Sequence, residues 1–483
     1  MSAETHSNLI AGFASYVPRP VLTREAAREA WPQLAMAGRA RTVPALDEDP
    51  LTMAAQAGLD ALAAARIGGE RLSGVFLATS SSPYVVKSGA AIVADYVNAP
   101  GHASVVDFGA GAHAGLAALL AAMRDGALAQ HGPILVIGAD AVFGSAGDAG
   151  DLALGAAACA FVVGREGFAA LERFAYGYSS YSSTWQPAGD THLHRYDDER
   201  FERTAGYGGQ MPASLQEFTA QLSREPDWYA LSLTPAVRAA SLGIPASKLV
   251  GTELVADIGD CGCANVLLAL ALALDQASAG ETIAVQAYAS GAGTASALHA
   301  VRADWEPAVR PAPRARVELS YVQYAKHRGL IPLSTLPSFG APYAASPSWE
   351  RSKHASVGLH AGRCRGCGSL NFPPRDYCLD CRGQEFDAVA LPRRASVLTF
   401  NLQHVVGIAP EEAPLPICTA LVDGEPAGRY GGKVAALVTD AKAEEISIGT
   451  PVELVPRRGD VEEGVVKYGW KFRPRSTGEE VDA

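Results

Sequence analysis

Residues 105–123 read VVDFGAGAHAGLAALLAAM, and residues 254–277 read LVADIGDCGCANVLLALALALDQA. Each carries an Asp-x-Gly step (Asp107-Phe108-Gly109 and Asp257-Ile258-Gly259), then a glycine-rich loop, then an unbroken run of Ala and Leu. A β-rich run follows each of them: HGPILVIGADA from His131 and ETIAVQAYASG from Glu281. A helix that is apolar all round is a buried one. Two copies of one pattern, loop to buried helix to strand, predict a domain of two related halves around a pseudo-twofold axis. The surrounding sequence agrees. Val75–Ala78 follows a helical Leu51–Ala65, Ile134–Gly138 follows Ala114–Met123, and Ile283–Tyr288 follows Ala264–Ala277. Such alternation predicts a layered α/β domain over residues 1–305, with halves of about 1–165 and 166–305.

At 483 residues the chain exceeds what one hydrophobic core organises. Apolar residues make up 48% and charged residues 19%, the balance of a globular protein. The net charge of −11 comes without a Lys/Arg-rich run, which excludes the basic footprint of a nucleic-acid binder and favours small-molecule or protein partners. The stretch MSAETHSNLIAGFASYVPRP shows no basic segment followed by a long apolar one, so no export signal is expected. The longest apolar runs, such as Val266–Leu274, are far below the ~20 residues that span a bilayer. No membrane role is expected, and the eight cysteines have the usage of a reducing cytoplasm.

Residues 306–350 are proline-rich and predict a linker, with SYVQYAKHRGLI as a more ordered piece. Residues 351–385 hold Cys364-x2-Cys367 and, ten residues on, Cys378-x2-Cys381. Two CxxC knuckles present four thiolates to one tetrahedral Zn2+ and leave no position for a catalytic water, so the zinc is structural. A ribbon this short draws its folding energy from the metal. From 386 to 476 the pattern turns to alternating β: SVLTFNLQHVV, PICTALVD, KVAALVTD, TPVELVPRR and VVKYGWKFRP. Five short strands predict a small β-barrel such as an OB-fold.

The ribbon and the strands after it, RCRGCGSLNFPPRDYCLDCRGQEF through VVKYGWKFRP, resemble the zinc-ribbon/OB-fold proteins that accompany thiolase-like enzymes in acyl-CoA metabolism. The pieces IAGFASYVPRPVL, RTVPALDEDPLTMAAQAGLDAL, FLATSSSPYVVKSGAAIVADYV, DFGAGAHAG, IGDCGCANVLLALALAL and SGAG resemble, in order and spacing, the hydroxymethylglutaryl-CoA synthase and ketoacyl synthase III branch of the thiolase superfamily. The resemblance implies an acyl-CoA or acyl-carrier-protein ligand. It also implies a homodimer or a complex with another thiolase-superfamily subunit.

It implies catalytic positions as well, and this chain has replaced them. The family's nucleophilic cysteine, at the start of a buried helix, falls on Ala112; its histidine, two residues before a proline in ALSLTP, falls on Leu233; its asparagine falls on Asp260; its glutamate falls on Ser80. A methyl group cannot be acylated. His113, beside Ala112, either lines the pocket or packs under a helix. Cys261 is either a relocated nucleophile or an inert buried thiol. Asp260 is either a desolvated base or a turn cap. His192 and His194 in THLHRYDDER, and the cluster Tyr176, Tyr178, Tyr181 with Ser179, Ser180, Ser182 and Ser183, read as polar surface segments with a metal or acid–base role as the alternative. The expected function is C–C bond formation or cleavage on an acyl-CoA by a route that needs no cysteine. The rivals are a non-catalytic partner that docks an active thiolase-like subunit or guides acyl-CoA, and a conventional synthase using Cys261.

Overall fold

The computed structural model describes residues 8–109, 111–196, 199–235, 239–306, 314–333, 346–404, 415–423 and 431–475. The chain folds as two compact units, Met1–Arg328 and Gly329–Ala483. The proline-rich parts of the expected linker, 307–313 and 334–345, lie outside the described residues, as do Val405 and Val406 of the first expected barrel strand.

The first unit is organised by one ten-stranded sheet. Its strands are β1 Leu9–Tyr16, β2 Gly74–Ala78, β3 Ser104–Phe108, β4 Ile134–Ala141, β5 Ala156–Gly164, β6 Ala169–Tyr178, β7 Trp228–Leu231, β8 Leu249–Val250, β9 Thr282–Ala289 and β10 Gly293–Val301. The order across the sheet is β8-β7-β9-β10-β6-β1-β5-β4-β2-β3. Read from the centre outward, each half of the chain lays down its five strands as first, fifth, fourth, second, third. The directions repeat too: β5–β4 and β10–β9 are antiparallel, while β4–β2, β2–β3, β9–β7 and β7–β8 are parallel. β1 and β6 join the halves antiparallel. The internal repeat in the sequence is thus a repeat of topology.

The two Ala/Leu runs form the helices that pack inside this unit. With α1 as Pro50–Ala65, α2 is Ala114–Arg124, α3 is Tyr207–Thr219 and α4 is Asn265–Gln276. Leu116, Leu119 and Leu120 of α2 and Leu267, Leu270 and Leu274 of α4 are at most 1% exposed and share one core with strand residues Val136, Phe161, Val285 and Ala297. Each such leucine contributes about 1.5–3 kcal/mol by burial. The close approach of α2 to the loop before α4 depends on Gly115: a Cβ there would lie 2.1 Å from the Cys263 carbonyl oxygen. α1 begins on a capping box in which Asp49 accepts from the Leu51 and Thr52 N–H groups and Thr52 returns a bond to the Asp49 backbone. Part of the segment expected as linker is built into this unit. Val317–Glu318 pairs with Pro20–Val21, and in the helix Tyr321–His327 the Tyr324 hydroxyl donates to Asp151 Oδ2 at 2.9 Å.

In the second unit, His360–Cys364 pairs with Leu370–Asn371 and Phe386–Ala390 to form the ribbon sheet. The five barrel strands are Arg394–Gln403, Leu415–Val422, Lys433–Leu437, Pro451–Glu462 and Val465–Pro474. The first pairs with the second and fourth, the second with the third, and the fourth with the fifth. A parallel bridge from Val438, just past the third strand, to Phe472 of the fifth closes the curl into the expected small barrel around Val397, Ala420, Val452, Leu454 and Phe472. Among the described residues no helix is long and apolar enough to cross a membrane.

Candidate functional site

The loop after β3 brings Ala112 and His113 to the start of α2. The turn depends on glycine at 111, where φ is +121° and a Cβ would lie 2.8 Å from that of Ala289 at the end of β9. The Ala114 N–H closes the turn on the Gly111 carbonyl at 3.0 Å. His113 makes no side-chain cap bond, and its Nδ1 is buried without a partner. Burial lowers its pKa, so at neutral pH it is an uncharged imidazole.

The organising group is a residue the sequence reading passed over. Asp140, at the end of β4, is fully buried and accepts five hydrogen bonds. Oδ1 takes them from Thr79 Oγ1 (3.1 Å), the Ser80 N–H (2.8 Å) and Ser81 Oγ (2.7 Å). Oδ2 takes them from Ser80 Oγ (2.9 Å) and the Cys263 N–H (2.8 Å). Ser80 is therefore a ligand of Asp140. Since Cys263 lies in the second half of the chain and Ser80 in the first, this one carboxylate ties the two halves at the site. Gly262, at φ +55°, leaves it room: a Cβ there would lie 2.3 Å from Asp140 Oδ2. The only trace in the sequence was an acidic residue ending an apolar strand, ILVIGADA.

Asp260 is partly exposed at the same place. Its Oδ1 accepts from Asn265 Nδ2 at 2.7 Å and from the Gly262 N–H at 3.0 Å. Burial raises its pKa to about 6, with the Asp140 charge adding to the rise and the two hydrogen bonds opposing it. Asn265, the first residue of α4, also donates to the Leu233 carbonyl at 2.6 Å, so it fixes Asp260 relative to the β7 exit. The Leu233 side chain is buried beside Leu231 and Val255 and lines a small apolar cavity with Leu254, Ile258 and Cys261. Cys261 is 1% exposed, with Sγ 3.5 Å from the Gly259 carbonyl oxygen. Burial, and then the charges of Asp260 and Asp140, push its thiol pKa well up, which is the environment of an inert thiol.

Tyr207 stands near Asp260. The Tyr207 hydroxyl donates to the Ser232 carbonyl at 2.9 Å, and its ring meets that of Tyr288 edge-on, centroids 5.6 Å apart. Burial, with the Asp260 charge, holds the Tyr207 hydroxyl protonated. The other polar clusters are elsewhere. His194 lies on the short antiparallel pair of Thr184–Trp185 with His194–Arg195, its Nε2 2.6 Å from Asp190 Oδ2, and the His192 ring lies tilted against it with centroids 4.8 Å apart. Tyr176 and Tyr178 are exposed on β6, and Tyr181 stacks on Phe201.

In the second unit, Cys364, Cys367, Cys378 and Cys381 bring their four sulfurs within 4.8 Å of one another; this is the one such metal-type cluster among the described residues. Cys364–Cys381 and Cys367–Cys378 Sγ separations are 3.5 and 3.6 Å. A tetrahedron with zinc–sulfur bonds of about 2.3 Å has edges of about 3.8 Å, so the donor set fits zinc. Both knuckles are closed by backbone bonds, Gly368 N–H to the Cys364 carbonyl at 2.8 Å and Arg382 N–H to the Cys378 carbonyl at 3.0 Å. Asn371 Nδ2 reaches Cys378 Sγ at 3.6 Å, a donor to the thiolate form.

The comparisons with known proteins follow the same division. Residues 359–387 match the family model described as ChsH2, rubredoxin-like zinc ribbon domain. The hydroxymethylglutaryl-CoA synthase of Pyrococcus furiosus is 28% identical over 335 residues, covering 66% of this chain and 95% of that protein. That of Methanosarcina acetivorans is 28% identical over 350 residues, covering 67% and 99%. Among solved structures, an HMG-CoA synthase complexed with CoA superposes with a TM-score of 0.59 at 19% identity, over 71% of this chain and 96% of that one. A 3-oxoacyl-(acyl carrier protein) synthase III from Pseudomonas aeruginosa does so with a TM-score of 0.55 at 21% identity, over 62% and 100%. The first unit therefore has the thiolase-like fold and is related to the acyl-CoA condensing enzymes, and the second carries a zinc ribbon.

Proposed function

We propose that this fusion of a hydroxymethylglutaryl-CoA synthase homologue with a ChsH2-type zinc ribbon binds an acyl-CoA, or an acyl chain on a carrier protein, and makes or breaks a C–C bond without an acyl-enzyme. The observation that carries this reading is Asp260: a carboxylate with a pKa raised to about 6, held by Asn265, in the loop whose Cys263 Sγ lies 3.4 Å from the Gly111 carbonyl at the turn into α2. A carboxylate of that pKa is ionised at pH 7 and is a competent general base. In the cleaving direction it takes the proton of a 3-hydroxyl group, and the C2–C3 bond breaks to leave a thioester enolate. In the forming direction it takes the α-proton. In this reading the positive end of the α2 dipole would stabilise the enolate oxygen. His113, uncharged, lies at that end. No step asks for a thiol, which agrees with Cys261 being buried and inert.

The zinc held by the four cysteines supplies folding energy to the ribbon and no Lewis-acid chemistry, since its coordination is filled by sulfur. The ribbon and barrel would serve to contact the acyl-CoA or a thiolase-superfamily partner. The test is incubation of the full chain with a panel of acyl-CoA and 3-hydroxyacyl-CoA thioesters, alone and with candidate partner subunits, followed by mass spectrometry of the thioesters. Products with a changed carbon count in the chain alone support the reading. Change only when an intact thiolase-like partner is added supports the non-catalytic role, which the replacement of all four family positions favours.

A further inference from the structure

Away from the site just described, two histidines are held side by side on the segment between β6 and α3. His192 and His194 are separated by one residue, and their ring centres are 4.8 Å apart, so both side chains leave the backbone on one side. Each is half-buried. His194 is fixed from two directions. Its Nε2 lies 2.6 Å from Asp190 Oδ2, and the Trp185 ring stacks against it with centroids 6.0 Å apart and planes 17° apart. The backbone beneath is anchored as well. Leu193, between the two histidines, donates its N–H to the Phe143 carbonyl at 2.7 Å, and Arg195 pairs with Asp148 at 3.0 Å.

The rings have nitrogens to spare. Among the described residues, His194 Nδ1 and both ring nitrogens of His192 make no hydrogen bond. The Asp190 bond decides which nitrogen His194 offers. Nε2 gives its proton to the carboxylate, so Nδ1 carries the lone pair; a carboxylate behind a metal-binding imidazole fixes tautomer and ring orientation in this way. The spacing fits one ion. With a metal–nitrogen bond of about 2.0–2.1 Å and a ring centre roughly 1.1 Å behind the nitrogen, each centre stands about 3.2 Å from the metal. Two such rings at angles of about 90–109° have centres about 4.5–5.2 Å apart. The observed 4.8 Å falls inside that range.

We infer that His192 and His194 form a second metal site, separate from the four-cysteine ribbon, for a divalent ion of the Zn2+ or Ni2+ class, with Asp190 orienting His194. Imidazole nitrogen suits these ions. Water fills the positions the two rings leave, so the ion is exchangeable, whereas sulfur closes the whole coordination of the ribbon zinc. Bound there, the ion cross-links the segment that joins β6 to α3. The assignment does not depend on the acyl-CoA reading.

The experiment titrates Zn2+ and, separately, Ni2+ into the full chain that already carries its ribbon zinc. Calorimetry reads the stoichiometry, and fluorescence reads Trp185, which stands against His194. Wild type takes up one further equivalent per chain at submillimolar ion, and Ni2+ quenches part of the tryptophan emission in step with it. His192→Ala and His194→Ala each abolish that equivalent and the quenching. Asp190→Asn weakens binding about 10- to 100-fold. Ribbon zinc by elemental analysis, and the melting temperature without added metal, stay at wild-type values in all three variants, so lost binding is not lost folding. Where an alanine variant melts lower, His192→Gln and His194→Gln, which keep a polar side chain, take its place. A wild type that takes up no further equivalent overturns the site. A further equivalent that survives in the double variant His192→Ala/His194→Ala also overturns it, by showing an adventitious ion held elsewhere. Wild-type affinity in Asp190→Asn contradicts the orientation assigned to His194 and with it the geometry of the site.

Discussion

Replacing Asp140 by asparagine tests whether one carboxylate holds the site together. The side chains are of equal size, so packing is conserved and hydrogen bonding alone changes. An asparagine oxygen in place of Oδ1 keeps its three donors. The amide nitrogen then replaces Oδ2, which accepts from Ser80 Oγ and the Cys263 N–H. Ser80 Oγ can rotate and accept. The Cys263 N–H cannot, and it is left buried against another N–H. One charge-assisted bond is lost and one backbone donor is orphaned, together roughly 3–5 kcal/mol. In a unit of this size that is a fall in melting temperature of about 4–7 °C. The assay is differential scanning calorimetry of the full chain, reading the transition of the first unit, with crystallography or amide exchange at Cys263 as the local probe. A change below about 2 °C, with Cys263 still protected, would show that Asp140 does not tie the two halves and would refute the reasoning.

Elemental analysis should find one zinc per chain, and Cys378→Ser should release it and unfold the ribbon; iron, or no metal after gentle purification, would count against the structural site. The rate of the proposed reaction should rise with pH through about 6 as Asp260 ionises, and Asp260→Asn should abolish that limb. Because folding raises this pKa above its unfolded value of about 3.9, the protonated form is the one the fold favours. Wild type should therefore lose stability relative to Asp260→Asn as pH rises from about 4 through 6. β3 ends the ten-stranded sheet with Val105 exposed on it, an open edge suited to a second copy. Light scattering at micromolar concentration should show at least a dimer, and Val105→Lys should weaken it; a stable wild-type monomer, with and without partner, would oppose the expected pairing.

Much of the fold was legible because it follows from local pattern. The Ala/Leu runs after Asp107 and Asp257 had no polar face, and they became the helices inside the first unit; the alternating stretches after Phe386 became the barrel. The CxxC spacing alone identified the four metal ligands. Strand order was not legible, since β8 and β7 are joined to β9 by pairing across distant sequence. At the site, Ala112, Leu233, Asp260 and Ser80 could be named by resemblance as the family's expected catalytic positions, but the contacts around them could not. Asp140 and Asn265 each sit in an apolar run where a polar residue looks incidental. Their meaning comes from what lies across the fold: Cys263 and Ser80 for Asp140, Leu233 and Asp260 for Asn265. The segment 314–328 was read within a proline-rich linker, and a buried ion pair of Arg328 with Asp151 at 2.9 Å binds it to the first unit.

The central claim is that acyl-CoA chemistry here proceeds without an acyl-enzyme. It is tested most directly by the intact mass of the full chain after incubation with acetyl-CoA, taken alongside deuterium exchange into the thioester. Ala112 offers no nucleophile, Leu233 no base to activate one, and Cys261 is buried with its thiol held protonated. The account predicts an unmodified protein mass together with exchange, and Cys261→Ser should behave as wild type. An acetyl adduct that maps to Cys261 and disappears in Cys261→Ser would contradict it and restore a covalent thiolase-like cycle.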